Sequence, residues 1–159
     1  MKRSAGDAER IQLGELAAQL DDRLNFVLAL HLGRGPDEVL ALINDVLWRV
    51  PIADRIAQLD AALTRAQIKD AVPALPAALT AVFAIRNLLA HSVSYGSTDE
   101  AIELWSVRNG KRQTRVLTRD HLRWTVDMAE LCLLLWLPRI EGRVGDVETW
   151  GWLYRYDEP

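Results

Sequence analysis

The stretch Ala77-Ala78-Leu79-Thr80-Ala81-Val82-Phe83-Ala84-Ile85-Arg86-Asn87-Leu88-Leu89-Ala90-His91-Ser92-Val93 decides how the rest of the chain is read. Nearly every position in it is apolar, which predicts a helix buried on most of its sides. Apart from Thr80 and Ser92, its polar residues are Arg86, Asn87 and His91. Burying a neutral polar group without a partner costs about 1–3 kcal/mol, and burying an unpaired charge costs more. These three residues must therefore find partners or line a cleft.

Upstream, the pattern is helical throughout. Leu13, Leu16, Leu20, Leu24, Val27 and His31 recur at three- and four-residue steps, predicting a helix over 7–32 that Gly33 and Gly35 stop. His31 sits in its last turn, where a cation suits the helix dipole. Pro36-Asp37-Glu38 opens a second helix that ends near Arg49, because Pro51 disfavours helical geometry at Val50. From Pro51 a third helix carries the stripe Ile52, Ile56, Leu59, Leu63 and Ala66, with Asp54, Arg55, Asp60 and Arg65 off it. Pro73 and Pro76 break the chain, and Pro76 suits the first turn of the fourth, apolar helix, expected to run to about Val93.

Downstream the period changes. Ile102–Val107 and Gln113–Thr118 read as strands around Asn109-Gly110, the strongest short-range signal for a two-residue hairpin turn. Pairing around that turn sets Val107 opposite Arg112, Trp105 opposite Thr114 and Glu103 opposite Val116. Thr118 is placed to cap a fifth helix with Asp120 in its first turn. Leu122, Val126, Ala129, Leu133 and Trp136 give that helix an apolar face, and Pro138 is expected to close it. The expected architecture is all-α: a bundle of four to five helices over 1–138, with a β-hairpin (about 102–117) between the last two major helices. Residues 139–159 are expected to form a C-terminal arm, in which Trp150, Trp152, Tyr154 and Tyr156 alternate as one aromatic face. Such a face would contact a partner if exposed, or fold back on the bundle or across a dimer.

Bulk properties narrow the field. The 159 residues suit one domain, half of them apolar and 26% charged, with a net charge of −3. Nucleic-acid binding would then need a local basic patch. One cysteine, Cys132, excludes an internal disulfide framework, and its apolar neighbours predict a buried thiol. Met1-Lys2-Arg3 is followed by polar and acidic residues instead of a signal-peptide core, and no apolar run reaches the ~20 residues of a membrane span. A cytoplasmic protein without membrane contact is the expectation.

Asn87 and His91 are i,i+4 neighbours on one helix face, and the long side chain of Arg86 can swing toward them from the adjacent face. A titratable imidazole that moves a proton near neutral pH, beside a guanidinium that neutralises phosphate oxygens, could cleave a phosphodiester without metal. No clustered His/Cys/Asp/Glu set suggests a metal, and no cofactor is expected. The same trio could instead be a structural polar network joining helices.

Phe83-Ala84-Ile85-Arg86-Asn87-Leu88-Leu89-Ala90-His91-Ser92 resembles the signature of the HEPN superfamily: arginine, a polar residue, then histidine after four to six positions, late in a helical bundle. With the helix order, the resemblance covers roughly residues 10–137. It implies a bundle of four or five helices that dimerises and brings two motifs into one cleft. It further implies a metal-independent endoribonuclease of toxin–antitoxin or antiviral defence systems. Arg86 and His91 would be catalytic and Asn87 would position them, RNA would be the substrate, and a cognate antitoxin could be a partner. One toxin branch carries a tyrosine two residues after the histidine, the target of an adenylylating antitoxin. Here that residue is Val93, and the nearest tyrosine is Tyr95. The alternatives are a non-catalytic HEPN-like dimerisation, RNA-binding or regulatory module, and a small-ligand or nucleotide-binding bundle.

The hairpin and the next helix start carry Arg108, Lys111, Arg112, Arg115, Arg119 and Arg123 against Glu103 and Asp120. Arg108, Lys111, Arg112 and Arg115 are the candidates for holding RNA phosphates. Charges on a hairpin edge also deter sheet-to-sheet association, which is their other reading. Trp105 and Trp124 read as core contacts.

Overall fold

A computed structural model of the chain describes residues 7–144, apart from the side chains of Tyr95, Ser97, Arg108 and Gly142. The aromatic residues Trp150 to Tyr156 lie outside the described residues. The chain is mainly helical, with one small antiparallel sheet inserted late. Helix α1 (Asp7–Leu32) is the longest element, about 39 Å at 1.5 Å per residue. It forms the axis of the bundle: Leu13, Leu20, Leu24, Val27 and Leu28 are fully buried, and α1 contacts every other helix.

Gly33 ends α1, and α2 (Pro36–Ala41) begins with proline in its first turn, as its sequence predicts. The helical path continues to Arg49 through a wider π-turn (Leu42–Val46) and a short 3₁₀ turn (Leu47–Arg49). Helix α3 (Ile52–Arg65) follows Pro51 and buries Ile56, Leu59 and Leu63, members of the expected stripe. It also buries Arg55, which the stripe had placed outside. Stripe analysis sorts residues by one helix's own periodicity, whereas Arg55 is drawn inward by acceptors on α1.

Helix α4 (Leu75–His91) takes Pro76 into its first turn. Its burial is uneven. Leu75, Ala78, Leu79, Val82 and Phe83 are buried, but Ala77, Thr80, Ala84, Arg86, Ala90 and His91 are exposed, and Asn87 is half-buried. The expectation of burial on most sides therefore fails for the outer face and the last two turns. Alanine carries little apolar area, so a run rich in it can lie at the surface at small cost.

The helix stops at His91, not Val93. Ser92 turns extended, and Val93–Ser97 forms a strand, β1, that sequence reading does not predict. It pairs antiparallel with β2 (Ala101–Arg108), which pairs with β3 (Lys111–Thr118), so the expected hairpin is the larger part of a three-stranded sheet in order β1-β2-β3. The hairpin register is the expected one, including Val107 with Arg112, Trp105 with Thr114 and Glu103 with Val116. Asn109 (φ 52°) and Gly110 (φ 72°) both occupy the left-handed region that a two-residue hairpin turn requires. Ile102, Leu104 and Leu117 point into the core, while Val93, Val107 and Val116 stay exposed on the opposite face.

Thr118 caps α5 (Arg119–Leu131), its Oγ1 accepting from the His121 N–H at 3.2 Å. Pro138 does not close this helix. A π-turn (Cys132–Trp136), in which the Leu137 N–H reaches back to the Cys132 carbonyl, leads into α6 (Leu137–Val144). Widening the turn just ahead of the proline relieves the steric conflict that a pyrrolidine ring creates with an α-helical carbonyl. The helical path thus continues to Val144. Cys132 is buried in this turn, and burial pushes its thiol up to about 12.

Polar contacts tie α1 to the C-terminal helices. Arg119 donates to Glu9 through Nε (3.2 Å) and Nη2 (3.1 Å), Gln12 to Glu130 (2.9 Å), and Arg23 to Glu141 (3.0 Å). The Glu9 carboxyl is held below its ordinary value. Its own backbone N–H in the first turn of α1 contributes most, and Arg119 and Arg123 add to it against the cost of burial.

Candidate functional site

Arg86, Asn87 and His91 occupy the last two turns of α4, as their sequence positions require. Steps of three and four residues join Ala77, Thr80, Ala84, Asn87 and His91 into one stripe on the side of α4 that the bundle leaves open. Arg86 donates from Nη1 to the Asn87 Oδ1 at 3.0 Å, so the amide sets the position of the guanidinium. Arg86 and His91 share no hydrogen bond among the described residues, consistent with a separation of about 140° around the helix. The trio forms no buried network. The buried polar network of the bundle is elsewhere: Arg55 donates to Asn25 and lies 2.7 Å from Asp21, linking α3 to α1.

Helix α4 runs antiparallel to α1, and Arg86 lies over the seam between them. Two cavities border it. The larger, about 560 Å³, is lined by Arg86, Leu89 and Ala90 from α4 and by Asp7, Arg10, Ile11, Leu13 and Gly14 from α1. The smaller, about 200 Å³, lies on the other side, where Asp21, Arg55, Phe83 and Asn87 are among the walls. The network that holds α3 to α1 therefore also forms part of the wall beside the motif.

The hairpin cations are arranged differently. Strand alternation puts Arg112 on the sheet's outer face, over the Trp105 ring at 4.9 Å, and Lys111 and Arg115 on the opposite face. They do not make one patch, and neither cavity beside Arg86 includes them. Arg119 and Arg123 both turn to Glu9, which removes them from a free basic surface. Trp124, expected in the core, is 47% exposed and meets His121 edge-on at 5.9 Å. Among the described residues, no group of three or more His, Cys, Asp or Glu is arranged to hold a metal ion, and no helix is long and apolar enough to cross a membrane.

Sequence reading missed the α1 side of this site. Arg10 and Gly14 are about 75 residues from the motif, and nothing local marks them beyond a glycine inside a helical pattern. No family model, curated protein or solved structure matches this chain.

Proposed function

We propose that this chain is a HEPN-type endoribonuclease that works as a homodimer without metal, in a toxin or antiviral defence role, with Arg86 and His91 catalytic and Asn87 positioning. One observation carries the reading: Arg86 and His91 are exposed in the last two turns of α4, with Asn87 half-buried between them, where a substrate can reach them. A purely structural cluster would have its charge buried and paired, as Arg55 is against Asn25 and Asp21.

In metal-free cleavage the substrate's own 2′-hydroxyl attacks the adjacent phosphorus. Its proton passes to a base, the P–O5′ bond breaks, and the leaving 5′-oxygen takes a proton from an acid. The products are a 2′,3′-cyclic phosphate and a free 5′-hydroxyl. A neutral imidazole serves as base and an imidazolium as acid, so one His91 cannot fill both roles in a single step. A second copy supplies the second imidazole. Two Arg86 guanidiniums then neutralise the charge that builds on the phosphate oxygens. The small side chains of Ala77, Thr80 and Ala84 allow another helix to approach closely, and a two-fold axis beside the end of the stripe brings both motifs to one cleft.

The test is cleavage of single-stranded RNA in excess chelator. Wild type is expected to produce cyclic-phosphate ends. His91→Ala is expected to lose at least about 100-fold in rate while keeping the wild-type melting temperature. A wild-type protein that binds RNA without cutting it would favour the non-catalytic module, and a His91→Ala variant that still cuts would sink the assignment of the base.

A further inference from the structure

Gly14 lies in the second turn of α1, inside a regular helix, where glycine is the least favourable residue after proline. Among the described residues, packing gives no reason for it: a Cβ built at Gly14 meets nothing within 4 Å. Gly33 shows the contrast, since a Cβ there would come within 2.7 Å of the Val39 Cγ2 and 2.9 Å of the Ala29 carbonyl oxygen. Packing accounts for Gly33 and leaves Gly14 unexplained. Gly14 does border the 560 Å³ groove beside Arg86, and the space at its Cβ position is open among the described residues.

The other walls of the groove say what it suits. Ile11, Leu89 and Ala90 form an apolar lining, and among the described residues Ile11 is left 54% exposed. Arg10 and Arg86 supply two guanidiniums against the single carboxylate of Asp7. Arg10 makes no hydrogen bond or ion pair among the described residues, and Arg86 bonds only to Asn87 there. A flat apolar group flanked by an anion matches this lining. Guanidiniums bind phosphate oxygens through paired N–H groups and also stack on base planes. The volume lies within the range of pockets that hold one small ligand.

We infer that the groove between α1 and α4 is a nucleotide subsite for single-stranded RNA: Gly14 leaves room for the base, Ile11 and Leu89 contact its face, and Arg10 with Arg86 holds the flanking phosphate. This subsite rests on the proposed ribonuclease reading and extends it, because it fixes where the strand lies next to Arg86. Arg10 acts here as a binding residue.

The test measures binding without cleavage. The full-length protein is titrated against a fluorescein-labelled 2′-O-methyl oligonucleotide, which lacks the attacking hydroxyl, and anisotropy is followed. Gly14→Leu is expected to weaken binding at least about tenfold while leaving the melting temperature equal or higher, since leucine is the better helix former and nothing obstructs it. Arg10→Ala is expected to weaken binding and to lower the slope of log K against log salt by about 0.7. Wild-type affinity in both variants overturns the subsite. So does a Gly14→Leu protein that changes from dimer to monomer in sedimentation, because a second chain would then occupy the groove. A wild type that fails to bind the oligonucleotide also overturns it, whatever the cleavage assay shows. Intact binding in a protein that never cuts RNA would instead overturn the catalytic reading and leave the subsite standing.

Discussion

Asp21→Ala tests how α3 is held against α1. The side chain of Arg55 is 6% exposed, and its charge is met by Asp21 at 2.7 Å and by the amide oxygen of Asn25. The Arg55 Nε has no partner among the described residues, so the guanidinium is already short of acceptors. At 2.7 Å and an effective dielectric constant of ~20, the raw attraction is about 6 kcal/mol. Desolvation removes much of that, and breaking a buried pair costs about 3–5 kcal/mol in practice. Asp21 is 42% exposed, so water screens its side of the pair and the expected loss falls to about 2–3 kcal/mol. For a chain of 159 residues that corresponds to a fall in Tm of about 5–10 °C. Arg55→Met removes the charge and keeps most of the volume, so Asp21→Ala in that background should cost under about 1 kcal/mol. Urea denaturation of the four proteins closes the cycle. A loss below about 0.5 kcal/mol for Asp21→Ala, or the same loss with and without Arg55, would refute an ion pair that anchors the helix.

Ala84→Arg places a long cation in the middle of the open α4 stripe; it should convert the proposed dimer to monomer in sedimentation and abolish RNA cleavage, with the helical circular-dichroism signal unchanged. Glu9→Gln tests the link between α1 and α5. Because the folded carboxyl titrates below its ordinary value of 4.5, its contribution is complete above that value and fades as pH falls through the lowered folded one. The variant should therefore melt below wild type at pH 7, by about 1–2 kcal/mol, and the gap should narrow as the solution is acidified below the ordinary value.

Local chemistry made part of this molecule legible. Asn109-Gly110 fixed the hairpin register to the residue, Thr118 marked the start of α5, and the α3 stripe named its buried face. What escaped depended on partners distant in the chain. Val93–Ser97 has no strong strand pattern and becomes a strand because β2 offers it an edge. Arg55 reads as a surface residue until α1 brings Asp21 and Asn25 beside it. Pro138 reads as a stop until a π-turn makes room for it. The motif was visible because Arg86, Asn87 and His91 interrupt an apolar run, but alanine does not reveal which side of its helix faces solvent. The groove was invisible for the same reason as Arg55: half of its wall comes from another helix.

The dependence of α1 on distant residues also shapes how the chain must be made. Its polar ties join residues 110 to 118 positions apart, and its buried face is completed by α5 and α6. During synthesis the first helix emerges early and must wait for nearly the whole chain before Leu13, Leu20 and Leu24 are covered. A product truncated before α5 would leave that apolar side open, and such a chain would be expected to associate or be degraded instead of surviving as a smaller domain.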